Sequence, residues 1–105
     1  MQITLKIKEK DKTFTNDFVS ARQFKNALKL NKEFKENNLT ILDLDTYEKF
    51  AEFAVSVFNH QFTLDELDEG LPTQTYLSEL QRVFNEVLTL GGLQVEGDEG
   101  NDQGE

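Results

Sequence analysis

The side chains with the chemistry for catalysis are His60 and the carboxylates Asp43 and Asp45. His60 is the one histidine of the chain, and a lone histidine at the end of a helical segment is usually a cap or a surface residue. The two carboxylates have the groups for acid and base work, but nothing in the sequence places a pocket around them. No serine stands in a nucleophile-elbow context, and no glycine-rich phosphate loop is present. We therefore predict no catalytic residues and a protein that acts by binding.

Four further carboxylates crowd one segment, at Asp65, Glu66, Asp68 and Glu69. Their spacing lacks the alternate acidic positions, central glycine and distal glutamate of a calcium loop. Thr63 and Glu66 instead form a capping box, and acidic residues in the first turns of a helix interact favourably with its dipole. The pattern therefore indicates the start of a helix, with no metal site.

Charge is divided unevenly along the chain, whose formal net charge is -9. Residues 1–36 hold nine Lys or Arg against five Asp or Glu, a net of +4, whereas residues 37–105 hold two against fifteen, a net of -13. An acidic chain repels nucleic acid and anionic membranes, so we expect neither as a partner. The two ends either solvate their own surfaces or allow the basic end of one copy to meet the acidic end of the next.

Cysteine is absent, which excludes disulfides and thiolate metal sites. No apolar run approaches the ~20 residues of a membrane span. The start MQITLKIKEK also lacks the continuous apolar block of a signal peptide. We expect a soluble intracellular protein that needs no cofactor.

The N-terminal region predicts a β-hairpin, because Ile3, Leu5 and Ile7 alternate with polar residues. An all-charged turn over 9–12 and a second strand over 13–18 complete it, and an exposed edge of such a hairpin is a candidate contact between copies. Ser20 then caps an amphipathic helix with a basic stripe. This stripe is either a solvated face or a docking site for an acidic protein segment. Its members are Arg22, Lys25, Lys29 and Lys32.

The most apolar helix is predicted over 46–59, with Asp45 and Glu48 as a start that is similar to a capping box. Its apolar residues sweep roughly 200° of the helix, which is wider than one neighbour usually covers. Either the hairpin and the other helices bury this arc, or another protein chain covers part of it or of the segment 39–44. The candidate partner-binding residues are Leu39, Ile41, Leu42, Leu44, Phe50, Phe53, Phe58 and Phe62.

These elements predict one α+β domain over 1–92, mostly α-helical, with an N-terminal β-hairpin and a disordered acidic C-terminal tail over 93–105. The hairpin spans 2–18. The helices lie at about 20–36, 46–59, 64–69 and 75–90. Gly70 is expected to end the third helix in the left-handed conformation, and Gly91 and Gly92 are expected to end the fourth.

Residues 53–71, FAVSVFNHQFTLDELDEGL, resemble the tail assembly chaperones of long-tailed bacteriophages, particularly those of phages and prophages of Gram-positive hosts. The order of elements over 1–92 is similar to that family as well. The points of resemblance are the aromatic helix before Val57 and Phe58, the corner Gln61-Phe62-Thr63, the acidic turn, and the stop at Gly70-Leu71.

The resemblance implies a non-catalytic protein that keeps the tape-measure protein soluble and helps recruit tail-tube subunits during tail assembly. It implies a location in the cytoplasm of the bacterial host, absence from the mature virion, and a second, longer product made by ribosomal frameshifting. Two other functions stay open from the residues alone. One is a small acidic regulator or inhibitor that mimics nucleic-acid phosphates, and the other is a small enzyme using His60 or the pair Asp43 and Asp45.

Overall fold

The computed structural model describes residues 1–36 and 43–93. In that part of the chain an antiparallel hairpin is followed by four helices, which confirms the predicted α+β class. The predicted tail over 93–105 lies outside the described residues except for Leu93. The elements are β1 Gln2–Ile7, β2 Lys10–Thr15, α1 Ala21–Glu36, α2 Leu44–Val57, α3 Leu64–Gly70 and α4 Thr73–Leu90.

The hairpin turns at Lys8 and Glu9, and Ile7 pairs with Lys10 directly beyond them. The φ angles of Lys8 and Glu9 are 54° and 67°, as in the two-residue type I′ turn whose twist matches that of the strands. The predicted four-residue turn over 9–12 was therefore wrong. The turn could not be located from the sequence, because neither residue is the Asn or Gly that usually occupies these positions.

The inner face of the hairpin packs on α3 through an unusually close approach at Gly70. The φ of Gly70 is outside the left-handed region, so the predicted left-handed helix end was wrong. A Cβ atom at Gly70 would lie 2.9 Å from Leu5 Cβ and 3.2 Å from both N and O of Lys6. Glycine is needed here because a side chain would hold α3 away from β1.

Helix α2 begins two residues earlier than predicted, with Asp43 in the N-cap position in place of Asp45. The amide of Thr46 donates to the Asp43 carbonyl at 3.1 Å, which closes the first turn. The side chain of Thr46 is buried, and its hydroxyl has no hydrogen-bond partner among the described residues. Asp43 thus begins α2 through its backbone carbonyl and makes no side-chain cap bond, and the Thr46 hydroxyl is buried without a partner in the part of the chain that the structure describes.

Helix α2 ends at Val57, because Asn59 and His60 both take a left-handed φ of 57°. The His60 amide donates to the Val55 carbonyl at 3.0 Å, and the Asn59 amide donates to the Ser56 carbonyl at 2.9 Å. This pair of bonds is the Schellman arrangement, which satisfies the last carbonyls of a helix. The predicted end at 59 was two residues late because the turn residues themselves are polar and helix-compatible.

The capping box at the start of α3 is confirmed. The Glu66 amide donates to Thr63 Oγ1 at 3.0 Å, and the Thr63 amide donates to Glu66 Oε1 at 2.8 Å. Pro72, with extended backbone angles, is the N-cap of α4, so that helix begins at Thr73 and not at 75. The chain therefore passes from α2 to α4 through two tight corners.

Helix α4 ends in a second Schellman arrangement, built on Gly92 at a φ of 95°. The Leu93 amide donates to the Leu88 carbonyl at 3.1 Å, and the Gly92 amide donates to the Thr89 carbonyl at 2.9 Å. Gly91, the residue before, lies against the ring of Phe24 from α1, where a methyl group would overlap that ring. Backbone conformation therefore favours glycine at 92, and packing favours it at 91.

One buried apolar cluster joins the hairpin to all four helices. Its largest fully buried side chains come from β1, α2, the corner after α2, α3 and α4. The core draws on nearly every element, so no helix stands apart from it. Those side chains are Ile3, Leu5, Val57, Phe58, Phe62, Leu67, Leu80, Val83 and Val87.

Candidate partner-binding surface

The eight predicted partner-binding residues fall into three groups. Three of them, Leu39, Ile41 and Leu42, lie outside the described residues. Phe53, Phe58 and Phe62 are buried in the core, and Phe50 is partly buried against it. Leu44 is 72% exposed. Of the described candidates, Leu44 is therefore the most exposed.

A first aromatic group fixes the corner after α2 to the hairpin. The ring centroids of Phe58 and Phe62 lie 5.7 Å apart, and those of Phe62 and Phe14 lie 5.0 Å apart. Asn16, at the end of β2, adds a buried hydrogen bond from Nδ2 to the Val57 carbonyl at 2.6 Å. Phe58 and Phe62 hold the structure together at this corner and are not surface residues.

A second aromatic group packs α2 against α1 and α4. Phe50 contacts Phe34 edge-on at a centroid distance of 6.3 Å, and it contacts Phe84 at 5.1 Å. Phe53 meets the same Phe84 ring at 5.9 Å. Neighbours on two sides thus take up much of the wide apolar arc of α2, as the first of the two alternatives from the sequence expects.

A groove lies beside the exposed Leu44, between the start of α2 and the α3–α4 corner. Its volume is about 400 Å³. Leu44 and Tyr47 form one wall, and Tyr76 and Leu77 from α4 form the other. The rings of Tyr47 and Tyr76 lie 6.1 Å apart between their centroids, at an interplanar angle of 32°. The complete lining of this surface, which we call the Leu44 groove, is Leu44, Tyr47, Asp68, Leu71, Thr73, Tyr76 and Leu77.

Tyr76 is held in the Leu44 groove by a hydrogen bond from its hydroxyl to Asp68 Oδ1 at 2.8 Å. Burial raises the pKa of the Tyr76 phenol well above its usual range, and the bond to Asp68 raises it further. The negative charges of Asp68 and Glu48 act in the same direction. The phenol is therefore neutral at physiological pH and serves as a fixed hydrogen-bond donor to the acidic side of the groove.

The basic stripe of α1 is solvent-exposed, as an amphipathic helix requires. Its four cations are exposed, and Leu28 on the same helix is 41% exposed. The opposite face of α1 packs on α2, where Gln23 Nε2 donates to Ser56 Oγ at 2.9 Å. The sequence did not single out Leu28 as exposed, since its spacing from Phe24 fits a core position equally well.

Arg82 ties α4 to the outer edge of β1. One guanidinium nitrogen donates to the Gln2 carbonyl at 2.8 Å and to Glu79 Oε1 at 2.9 Å, and Nε donates to Glu79 Oε2 at 3.1 Å. A further bond of 3.2 Å reaches Glu86. The hydrogen bonds to Glu79 raise the pKa of Arg82 above its already high value. Arg82 occupies part of the strand edge that the sequence marked as a candidate contact between copies.

The residues considered for catalysis lie on the surface. His60, Asp43 and Asp45 are all exposed, and His60 lies in the turn beyond α2. Within residues 1–36 and 43–93, no group of three or more His, Cys, Asp or Glu side chains is arranged to hold a metal ion. None of the described helices has the length and apolar character to cross a membrane.

Sequence reasoning missed most of the Leu44 groove. Tyr47, Tyr76 and Leu77 fall inside the helices predicted over 46–59 and 75–90, and Leu71 belongs to the predicted stop after the acidic turn. Only the corner between α3 and α4 brings them beside Leu44, so no local signal could have grouped them. The large side chains at the first turn of both helices were the one available hint.

Comparison with known proteins identifies the family of this chain. A family model described as phage tail chaperone protein matches residues 1–104. Searches of curated proteins and of solved structures gave no match. The matched range takes in the hairpin, all four described helices and the Leu44 groove. The chain therefore belongs to the phage tail chaperone family.

Proposed function

We propose that this chain binds the tape-measure protein during phage tail assembly, keeps it soluble, and helps recruit tail-tube subunits around it. It acts by binding, without turnover. The observation that carries this proposal is the family match over residues 1–104. A chaperone that acts during assembly works in the cytoplasm of the bacterial host and is absent from the mature virion.

The exposed apolar side chains support a binding role of this kind. Leu44, Leu90 and Phe18 are each more than half exposed, and Leu44 adjoins a groove with two tyrosines. Large apolar side chains on the surface favour contact with another protein when they border a concave site. A long helical partner with apolar faces presents side chains that such a site can cover.

Co-expression with the tape-measure protein of the same phage tests the proposal. We expect tape measure to be soluble and to co-purify with this chain, and to be insoluble when the chain is omitted. The Phe18→Ala variant is a suitable control for general surface stickiness, since it removes an exposed ring that is not part of the Leu44 groove. Tape measure that is equally insoluble with and without the chain would contradict the proposal.

The effect of salt on binding distinguishes this function from the alternative, a protein that mimics nucleic-acid phosphates. A partner held by apolar side chains stays bound as sodium chloride rises, whereas a basic partner held by acidic side chains alone dissociates steeply. We expect the complex with tape measure to survive high salt. Mass spectrometry of purified particles should find tube and tape-measure proteins without this chain.

A further inference from the structure

The Leu44 groove has a mainly apolar surface, and the charge of its lining is negative. Leu44 and Leu77 present aliphatic side chains, Tyr47 and Tyr76 present rings, and the one charged lining residue is Asp68. No lysine or arginine is among the seven lining residues. A partner that fits this surface must therefore bring apolar side chains and tolerate, or use, negative charge.

Further carboxylates extend the negative charge around the groove. Glu48 lies one residue beyond Tyr47 on α2, close enough to contribute to the raised pKa of Tyr76. Asp45 is in the first turn of α2. Asp65 and Glu69 are exposed on α3, a helix that has four acidic side chains and no basic one. Asp68 of α3 thus lines the apolar surface, Glu48 of α2 acts on Tyr76 within it, and the remaining carboxylates add negative charge to the same two helices.

This surface suits a helix better than an extended strand. Its walls are side chains of α2, α3 and α4 with Leu71 between the last two, and no strand contributes to it, so it offers side chains and no open strand edge. The negative charge on α2 and α3 repels the phosphates of nucleic acid and of anionic lipid. A helix that places apolar side chains in the groove and cations beside them satisfies both features.

We propose that the Leu44 groove binds an amphipathic helical segment of another protein, with one or two large apolar side chains flanked by Lys or Arg. The inference rests on the proposed function in that the tape-measure protein is the expected source of the segment. The apolar side chains fill the space between Leu44 and Leu77. The flanking cations pair with Asp68 and with the carboxylates of α2 and α3. Such pairing fixes the orientation of the helix and excludes acidic competitors.

Two synthetic peptides of about 18 residues test the proposal, since that length supports helix formation. Both have the same leucine-rich apolar face, and one has Lys and the other Glu on its flanks. In ¹⁵N-labelled full-length chain, the Lys peptide should shift the amide resonances of Leu44, Tyr47, Tyr76 and Leu77, and the Glu peptide should not. Absence of binding by the Lys peptide, or shifts centred on another face, would overturn the proposal.

Leu44→Glu and Leu90→Glu form a matched pair of variants. Both side chains are exposed, at 72% and 64%, so neither change disturbs the core, and both add the same charge. Leu44→Glu should weaken the Lys peptide at least ~10-fold, as loss of a central apolar contact does, and Leu90→Glu should leave affinity unchanged. Equal affinity of the two variants for the Lys peptide would show that the groove does not decide binding and would overturn the proposal.

Light scattering distinguishes a second copy of the chain as the occupant. If the wild-type chain self-associates and Leu44→Glu makes it monomeric, the groove belongs to a contact between copies and the proposal fails. Co-expression distinguishes a failure of this inference from a failure of the proposed function. Tape measure kept soluble equally by wild type and by Leu44→Glu would remove this inference and leave the proposed function intact. A groove that binds the Lys peptide in a chain that never binds tape measure would do the reverse.

Discussion

Replacing Gly70 with alanine tests how closely α3 lies on β1. Helix propensity alone predicts that this change stabilises the protein by ~1 kcal/mol, because glycine is a poor helix former. The φ of Gly70 is outside the left-handed region, so alanine meets no backbone strain there. Propensity and backbone conformation together therefore predict a more stable variant.

The packing around Gly70 predicts the opposite sign. The new Cβ would lie 2.9 Å from Leu5 Cβ and 3.2 Å from the backbone N and O of Lys6. These atoms cannot rotate away as the end of a long side chain can, so helix and strand must separate. Overpacking of this kind costs ~1 to 3 kcal/mol, which exceeds the gain from propensity in most of its range. Subtracting the gain of ~1 kcal/mol leaves a net destabilisation of up to about 2 kcal/mol, and Gly70→Val should be worse.

Urea unfolding and thermal unfolding, both followed by far-UV circular dichroism, measure the change, and the melting temperature should fall by up to roughly 15 °C. Gly92 provides the control, because it has a φ of 95° and a Cβ added there would meet no atom within 4 Å. Gly92→Asn should cost less than Gly70→Asn, since asparagine is the side chain that best tolerates a left-handed φ and meets no atom there, whereas at Gly70 it must displace β1. A Gly70→Ala variant more stable than wild type would refute the close approach of α3 and β1.

Four other changes probe separate parts of the fold. Phe58→Ala should cost ~3 to 5 kcal/mol in urea unfolding, because the ring is wholly buried, and a near-neutral result would contradict its place in the core. Thr46→Val should stabilise by ~1 kcal/mol by removing a buried hydroxyl without a described partner, and an unchanged unfolding midpoint would show that the hydroxyl is satisfied. Lys8→Asn combined with Glu9→Gly should raise stability by ~1 to 2 kcal/mol, because both positions have left-handed φ, and no gain would argue against the type I′ turn. Deleting residues 94–105 should leave the melting temperature nearly unchanged, whereas a large drop would show that they pack on the rest of the chain.

Features that depend on neighbouring residues were predictable from the sequence. The capping box of Thr63 and Glu66 formed as expected, because both partners lie within one helical turn and need no tertiary contact. The same holds for the end of α4 at Gly91 and Gly92. The hairpin was predicted from the alternation of its apolar residues, but its turn was misplaced because Lys and Glu give no signal for a left-handed φ.

Features that depend on distant residues were not predictable. Gly70 was assigned a turn conformation, whereas its actual role comes from Leu5 and Lys6, more than 60 positions earlier in the chain. The apolar arc of α2 was recognised, but periodicity cannot say whether a ring such as Phe53 meets its own chain or another. Leu44 was grouped with aromatic residues that are buried in the core. Only the corner at Pro72 places Tyr76 and Leu77 beside it, and the sequence does not predict that contact.

The bond from Arg82 to the Gln2 carbonyl also has a consequence for the order in which the chain folds. Its partners are 80 positions apart, so β1 is made long before the helix that completes its surroundings. At a synthesis rate of about 5 to 20 residues per second, the interval is roughly 4 to 16 s. Throughout it, the outer edge of β1 lacks its contact with Arg82. The Gln2 carbonyl at this edge is therefore open to other hydrogen-bond donors until α4 has been made.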